Sequence, residues 1–304
     1  MIIGHSRFCF IDHQWVVRFI YSFHMPLFFI ITGYFIKDTS VFQFKKEFRR
    51  LLLPYILVSV CLIIIRNARA LWFEGTWDWK VALGALYGSG GTVLGYQIPS
   101  NIPIYLWFLL CMFFSKLLFQ TVVLSHKKYR LWIVALLSIA GYVCGKFIWL
   151  PFCLCQALVA VSFIYAGYIT KERKYTENEL TVLLLAWFSG AYLSSFDLAT
   201  NHYPLLFLSL FVAFAGTVLT IVFSNHVSKV PCLSKVLIFY GRYSLAVLCL
   251  NCVEILIVPW YRLYDWVHVH FLLGVLVVML HVAFIGILVY GLKRFFWFRS
   301  IFML

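Results

Sequence analysis

FHMPLFFIITGYFIKD at residues 23–38, followed after a short connection by FKKEFRRLLLPY at 44–55, sets a histidine and a proline inside an apolar run and four cations just beyond it. An ionisable group within a segment made for hydrocarbon is costly, and by default it marks function. Lys45, Lys46, Arg49 and Arg50 stand where the next helix would meet the membrane surface. The pairing points to chemistry on an anionic substrate.

The rest of the chain has the same character. Of its 304 residues 63% are hydrophobic, 20% aromatic and only 12% charged, with mean hydropathy +0.93, too little polar surface for a soluble protein. Apolar runs, each near the roughly 20 residues that a helix needs to cross hydrocarbon, fall at 18–36, 51–72, 104–124, 131–149, 152–170, 180–199, 204–224, 236–258 and 271–292. No ten-residue stretch alternates apolar with polar, which argues against a β-barrel. The expected architecture is all-α, a polytopic transmembrane helix bundle of about nine spans.

The net charge of +14 would suggest nucleic acid in a soluble protein. Here its distribution is better explained by the membrane. Alternate connections, beginning with 37–50, hold 17 of the 25 basic residues. By the positive-inside rule that side is cytoplasmic, which puts the N-terminus outside, the C-terminus inside, and makes a nucleic-acid partner unnecessary. A plasma membrane, bacterial inner membrane in type, is the expected location. Residues 1–6, MIIGHS, are too short for a signal peptide and read as the tail of a helix whose beginning is missing.

The nine cysteines lie mostly within the apolar runs, where a thiol packs as a small hydrophobe. Cys249 and Cys252 form a C-x-x-C, but without a second pair or nearby histidines packing is the default, and no metal is expected. No linker divides the chain, so residues 1–304 read as one domain. The longest polar interruption, Phe73–Pro103, carries Gly88–Gly91 and the aromatics Trp77, Trp79, Tyr87 and Tyr96. It reads either as an outer acceptor-recognition loop or lid, or as an interfacial aromatic belt.

Four segments in order resemble the acyltransferase 3 superfamily of integral-membrane O-acyltransferases, especially its fucose 4-O-acetylase-like members. They are IIGHS at 2–6, the 23–55 stretch, LWFLLCMF at 106–113 with LPFCLCQALVAVSFIYAGYITK at 150–171, and YGRYSLAVLCLNC at 240–252. The resemblance implies a ten-helix bundle that moves an acyl group, usually acetyl from acetyl-CoA as co-substrate, onto a hydroxyl of a glycan or glycolipid acceptor. It matches His5 to the histidine that closes the family's first helix, and implies that this helix is cut short here. It also implies a histidine where this chain has Asn251.

On that basis His5 is the candidate general base, since an imidazole titrates near neutrality and can take the hydroxyl proton as it attacks a thioester. His24 either orients His5 or meets the acceptor, or else it packs against a backbone carbonyl. Arg49 and Arg50 are candidate ligands of the coenzyme A phosphates through their planar forks, although the positive-inside rule alone would explain Lys45 and Lys46. Glu254, the one carboxylate well inside a predicted span, pairs with Lys116, Arg66 or a histidine, in catalytic or structural support. Tyr243, Ser244 and Asn251 are candidate substrate-binding residues, and Trp107 lines an acyl tunnel or belongs to an aromatic belt. His281 and Lys116 carry no motif, and packing or snorkelling accounts for them. A membrane transporter or flippase of a glycan or lipid-linked substrate is the alternative, weakened because no paired broken helices in two repeated halves are evident. The oligomeric state is open.

Overall fold

The computed structural model describes residues 14–88, 91–93, 96–98, 106–193, 196–258, 260 and 271–302. Among them, helices answer to all nine apolar runs. The first is α1, Gln14–Phe35, with Pro26 in its interior. The second, α2, spans Phe44–Glu74 and is the longest at 31 residues. Its first turns widen into a π-helix at Phe48–Leu52, immediately before Pro54. Proline has no N–H to return to the carbonyl four residues back, so the ladder is interrupted where the arginine pair sits. Gly75, at φ 66°, ends α2 in the left-handed conformation that glycine adopts without strain.

Among its described residues the polar interruption holds regular structure. Helix α3, Lys80–Tyr87, folds back along α2, and a short antiparallel pair, β1 Gly91–Val93 with β2 Tyr96–Ile98, follows it. The Asp78 amide donates to Asn67 Oδ1 at 2.8 Å, and the Tyr55 hydroxyl donates to the Ala85 carbonyl. The last carbonyls of α3, Leu86 and Tyr87, accept from the amides of Phe152 and Cys153 at 3.2 and 3.1 Å. A segment that looks polar in sequence is thus fastened to the bundle by its backbone.

The remaining helices are α4 Trp107–Val123, whose last turn is again π, α5 Arg130–Phe147, α6 Leu154–Thr170, α7 Glu177–Leu193 and α8 Leu206–Val227. Thr176 and Glu179 form a reciprocal capping box at the start of α7, braced by Arg173 at 2.7 Å. Then come α9 Pro231–Arg242, α10 Ser244–Ile257, α11 Phe271–Leu292 and α12 Phe296–Phe302.

One expectation is corrected. The single span predicted at 236–258 is two helices, α9 and α10, bent by 74° at Tyr243. Helix α9 buries no residue and exposes Val236, Leu237 and Ile238, so the pair is either a broken span or a re-entrant turn. The all-α membrane bundle itself stands, with helices at all nine expected places. Among the described residues, by length and apolarity five helices can cross a membrane, six if the bent pair is one span, while α4 and α6 are shorter apolar helices of 17 residues.

The core is built around α6, which packs on α1, α4 and α5. Its contact with α1 is backbone on backbone. A Cβ on Gly33 would lie 1.9 Å from the Ile164 carbonyl oxygen, and one on Gly167 would lie 1.9 Å from that of Ile30. Lipid supplies no hydrophobic drive for helix association, so close approach at small residues has to do that work. The two Gly-Tyr pairs in ITGYFIK and YAGYITK are the two halves of one crossing. At the helix ends, Tyr168 and Arg130 close on Asp38, with Arg130 3.2 Å from the carboxylate and 2.9 Å from the Tyr168 hydroxyl.

Candidate active site

The first turns of α2 form one wall of two adjoining hollows. The outer one is an open basic groove of about 600 Å³ lined by Gln43, Phe44, Lys45, Lys46, Arg49 and Arg50. The inner one is a chamber of about 570 Å³ between α1, α2, α4 and α10. Lys46 and Arg50 line both. Each helix contributes a stripe at helical spacing: Met25, Phe28, Thr32 and Phe35 from α1; Phe108, Met112, Lys116 and Gln120 from α4; Ser244, Leu245 and Leu248 from α10. The chamber is therefore cationic at the α2 end and apolar beyond it. Phosphate charges fit the first part, where arginine forks bind them bidentately, and a thin, weakly polar chain fits the second.

Of the residues singled out in the sequence, Arg49, Arg50 and Ser244 meet at these hollows. Tyr243 sits at the bend between α9 and α10, its ring 5.0 Å from that of Phe239. Trp107 is buried rather than belted, and its neighbour Phe108 lines the chamber. Asn251 is fully buried in α10. His5 lies outside the described residues.

His24 is buried next to Met25 in the chain, but only Met25 lines the chamber. Its Nδ1 is 2.9 Å from the Ile20 carbonyl oxygen. A carbonyl only accepts, so Nδ1 carries the proton in that contact and Nε2 is left as the basic nitrogen of the neutral ring. The same bond is the one a packing histidine would make. The Tyr21 ring lies against the imidazole at 4.8 Å.

Of the partners expected for Glu254, the described residues show a histidine. Glu254 Oε2 is 2.8 Å from His281 Nε2, and its Oε1 accepts from the Trp260 indole. Trp260 also covers the His281 ring at 4.9 Å. Both members of the pair are buried, at 0% and 4% side-chain exposure, and neither lines the chamber. Lys116 pairs instead with Glu47 at 2.5 Å, inside the chamber wall.

Sequence reasoning passed over Glu47 because it stands among four cations, where a lone acid reads as charge balance. Its burial, at 7% exposure, was the missing signal, and only packing reveals it. A third hollow of about 270 Å³ lies toward the other end of α2, with Arg66, Arg69, Glu74 and Asp78 in its wall. There Arg69 donates to the Leu256 carbonyl at 2.6 Å, at the end of α10. Among the described residues no group of histidines, cysteines and acids could hold a metal ion.

A family model described as an acyltransferase domain, the acyltransferase 3 family, matches residues 1–292. No curated protein and no solved structure matches the chain.

Proposed function

Because the chain belongs to the acyltransferase 3 family and is therefore a membrane-embedded acyltransferase, we propose that it moves an acetyl group from acetyl-CoA to a hydroxyl of a cell-surface or lipid-linked saccharide. The observation that carries this reading is the continuity of the two hollows: the basic groove and the apolar chamber share Lys46 and Arg50. Coenzyme A has that same order of parts, phosphates first, then a thin arm ending in the thioester. The Arg49 and Arg50 forks would hold the phosphates, and the arm would run along the α1, α4 and α10 stripes toward Met25 and His24.

In the transfer the acceptor oxygen attacks the thioester carbonyl as a base takes its proton. A carbon–oxygen bond forms, the carbon–sulfur bond breaks, and the departing thiolate recovers the proton. His5 is our assignment for the base, on its match to the family histidine. A saccharide arriving from outside would meet the donor coming from the cytoplasm in the plasma membrane, consistent with the basic-residue bias.

The test uses purified protein with labelled acetyl-CoA. Lysine keeps the charge and topology of arginine but not its fork. Arg50→Lys should raise the donor KM by about tenfold, the scale of one charged hydrogen bond, and Arg49→Lys should do the same. If both leave it unchanged, these residues only anchor topology. His5→Gln should lower transfer at least about 10²-fold with donor binding retained. Near-normal turnover in that variant would move the base to His24.

A further inference from the structure

The chamber contains one feature that phosphate binding does not explain. Lys116 and Glu47 form an ion pair within its wall, with side chains only 14% and 9% exposed. Glu47 Oε2 is buried and has no hydrogen-bond partner among the described residues. Stability alone is a poor reason for such a pair, since replacing a buried ion pair by well-packed apolar residues is often neutral or favourable.

Neither is it suited to a phosphate, because the carboxylate cancels the ammonium and would repel an anion. What a neutralised ammonium offers is hydrogen-bond donors. It has three, of which Glu47 Oε1 takes one. The matching partner is a neutral, strongly polar acceptor that must otherwise enter an apolar space unsatisfied. On the reading that the donor is an acyl-CoA, such acceptors exist between phosphate and sulfur: the two amide carbonyls of the pantetheine arm.

Position agrees with this. On α4 the lining runs Gln120, Lys116, Met112, Phe108. It covers about 18 Å at 1.5 Å per residue. Lys116 stands one turn inside Gln120, past which every α4 lining residue is apolar. We infer that the Lys116–Glu47 pair is a specificity element that reads an amide of the donor's pantetheine arm, with Glu47 positioning the ammonium and cancelling its attraction for free anions.

The experiment measures equilibrium binding to the purified protein of CoA, of pantetheine, and of the CoA nucleotide lacking the arm. Lys116→Met should weaken CoA and pantetheine about tenfold or more, as expected for a lost charged hydrogen bond. The arm-less nucleotide should bind as before, which also reports that the groove is folded. Removing Lys116 alone strands Glu47, so the double variant Glu47→Leu, Lys116→Met serves as the stable counterpart and should show the same selective loss. Unchanged preference for CoA over the arm-less nucleotide in both variants would overturn the inference. So would a loss of nucleotide affinity equal to that of CoA, which would make Lys116 a phosphate ligand. If the wild-type protein binds none of the three probes, the acyl-CoA reading fails and the inference with it. CoA bound normally, with its arm unread, sinks the inference alone.

Discussion

Glu254 and His281 illustrate how a single residue's role is decided by a partner far away in sequence. A carboxylate in a span needs something to satisfy it, and that much is readable from Glu254 alone. Which group does so depends on the rotation of α11 against α10, and that is set by packing along both helices. His281, with no motif to recommend it, turns out to be the partner at 2.8 Å, roofed by Trp260. Breaking a buried pair costs more than the pair is worth, because a desolvated group is left alone. His281→Leu should therefore lower stability by about 1–3 kcal/mol, the cost of a stranded buried hydrogen-bond partner, while Glu254→Leu combined with His281→Leu should recover most of that loss. Thermal unfolding of the purified variants would show it, and a double variant less stable than His281→Leu would mean that the pair itself is the stabiliser. Lys116 and Glu47 follow the same logic 69 positions apart. Neither was legible as a pair, since positive-inside counting explains cations at a membrane edge without reference to partners.

Among the elements, the clearest device is the α1–α6 crossing. Its signature, Gly-Tyr near the end of each helix, is visible in the sequence, but its meaning is not, because a glycine in a helix can equally mark a cap, a kink or a contact. The structure makes it a contact on both sides, with the Ile164 and Ile30 carbonyls in the space a Cβ would take. Gly167→Ala or Gly33→Ala must push the helices apart, at a cost of about 1–3 kcal/mol or more in a packed core. Gly241 in α9 has nothing within 4 Å of its would-be Cβ. Alanine there should be neutral or slightly stabilising, since it is the better helix former by about 1 kcal/mol. Melting temperatures of the three variants compare these directly, and equal losses at all three would rule out the crossing as the cause. Gly88 is a third case, with φ +78° and the Cys153 sulfur 2.5 Å from a built Cβ. It marks where the polar interruption is anchored, a fact hidden because α3 satisfies itself through backbone groups, which sequence does not display.

For the whole molecule, the all-helical membrane class followed from composition, and the approximate places of the apolar helices followed from length. What composition could not show was the 74° bend at Tyr243. The stretch 231–257 is apolar on average throughout, and hydropathy does not distinguish a helix that crosses from one that turns away. Orientation rests on the basic-residue bias alone, and the topology it gives is a proposal. Helix α9 is exposed and carries Lys235 and Arg242, and on that topology we propose that it lies along the inner membrane face. On the proposed orientation those cations stand on the side of Lys45, Lys46, Arg49 and Arg50, where cytosolic CoA would arrive. Single cysteines at Ser40 and Lys174, in a background without the native cysteines, should then resist an impermeant thiol reagent on intact cells and react once the membrane is opened. Lys174 is preferable to Thr176, whose hydroxyl caps α7, so that a labelling change there would not be confused with a frayed helix. A cysteine at Lys235 on α9 should behave as the other two do. Labelling of all three in intact cells would invert the bundle and place the basic groove outside, away from any acyl-CoA. Labelling at Lys235 alone would instead put α9 on the outer face and remove it from the cytoplasmic side.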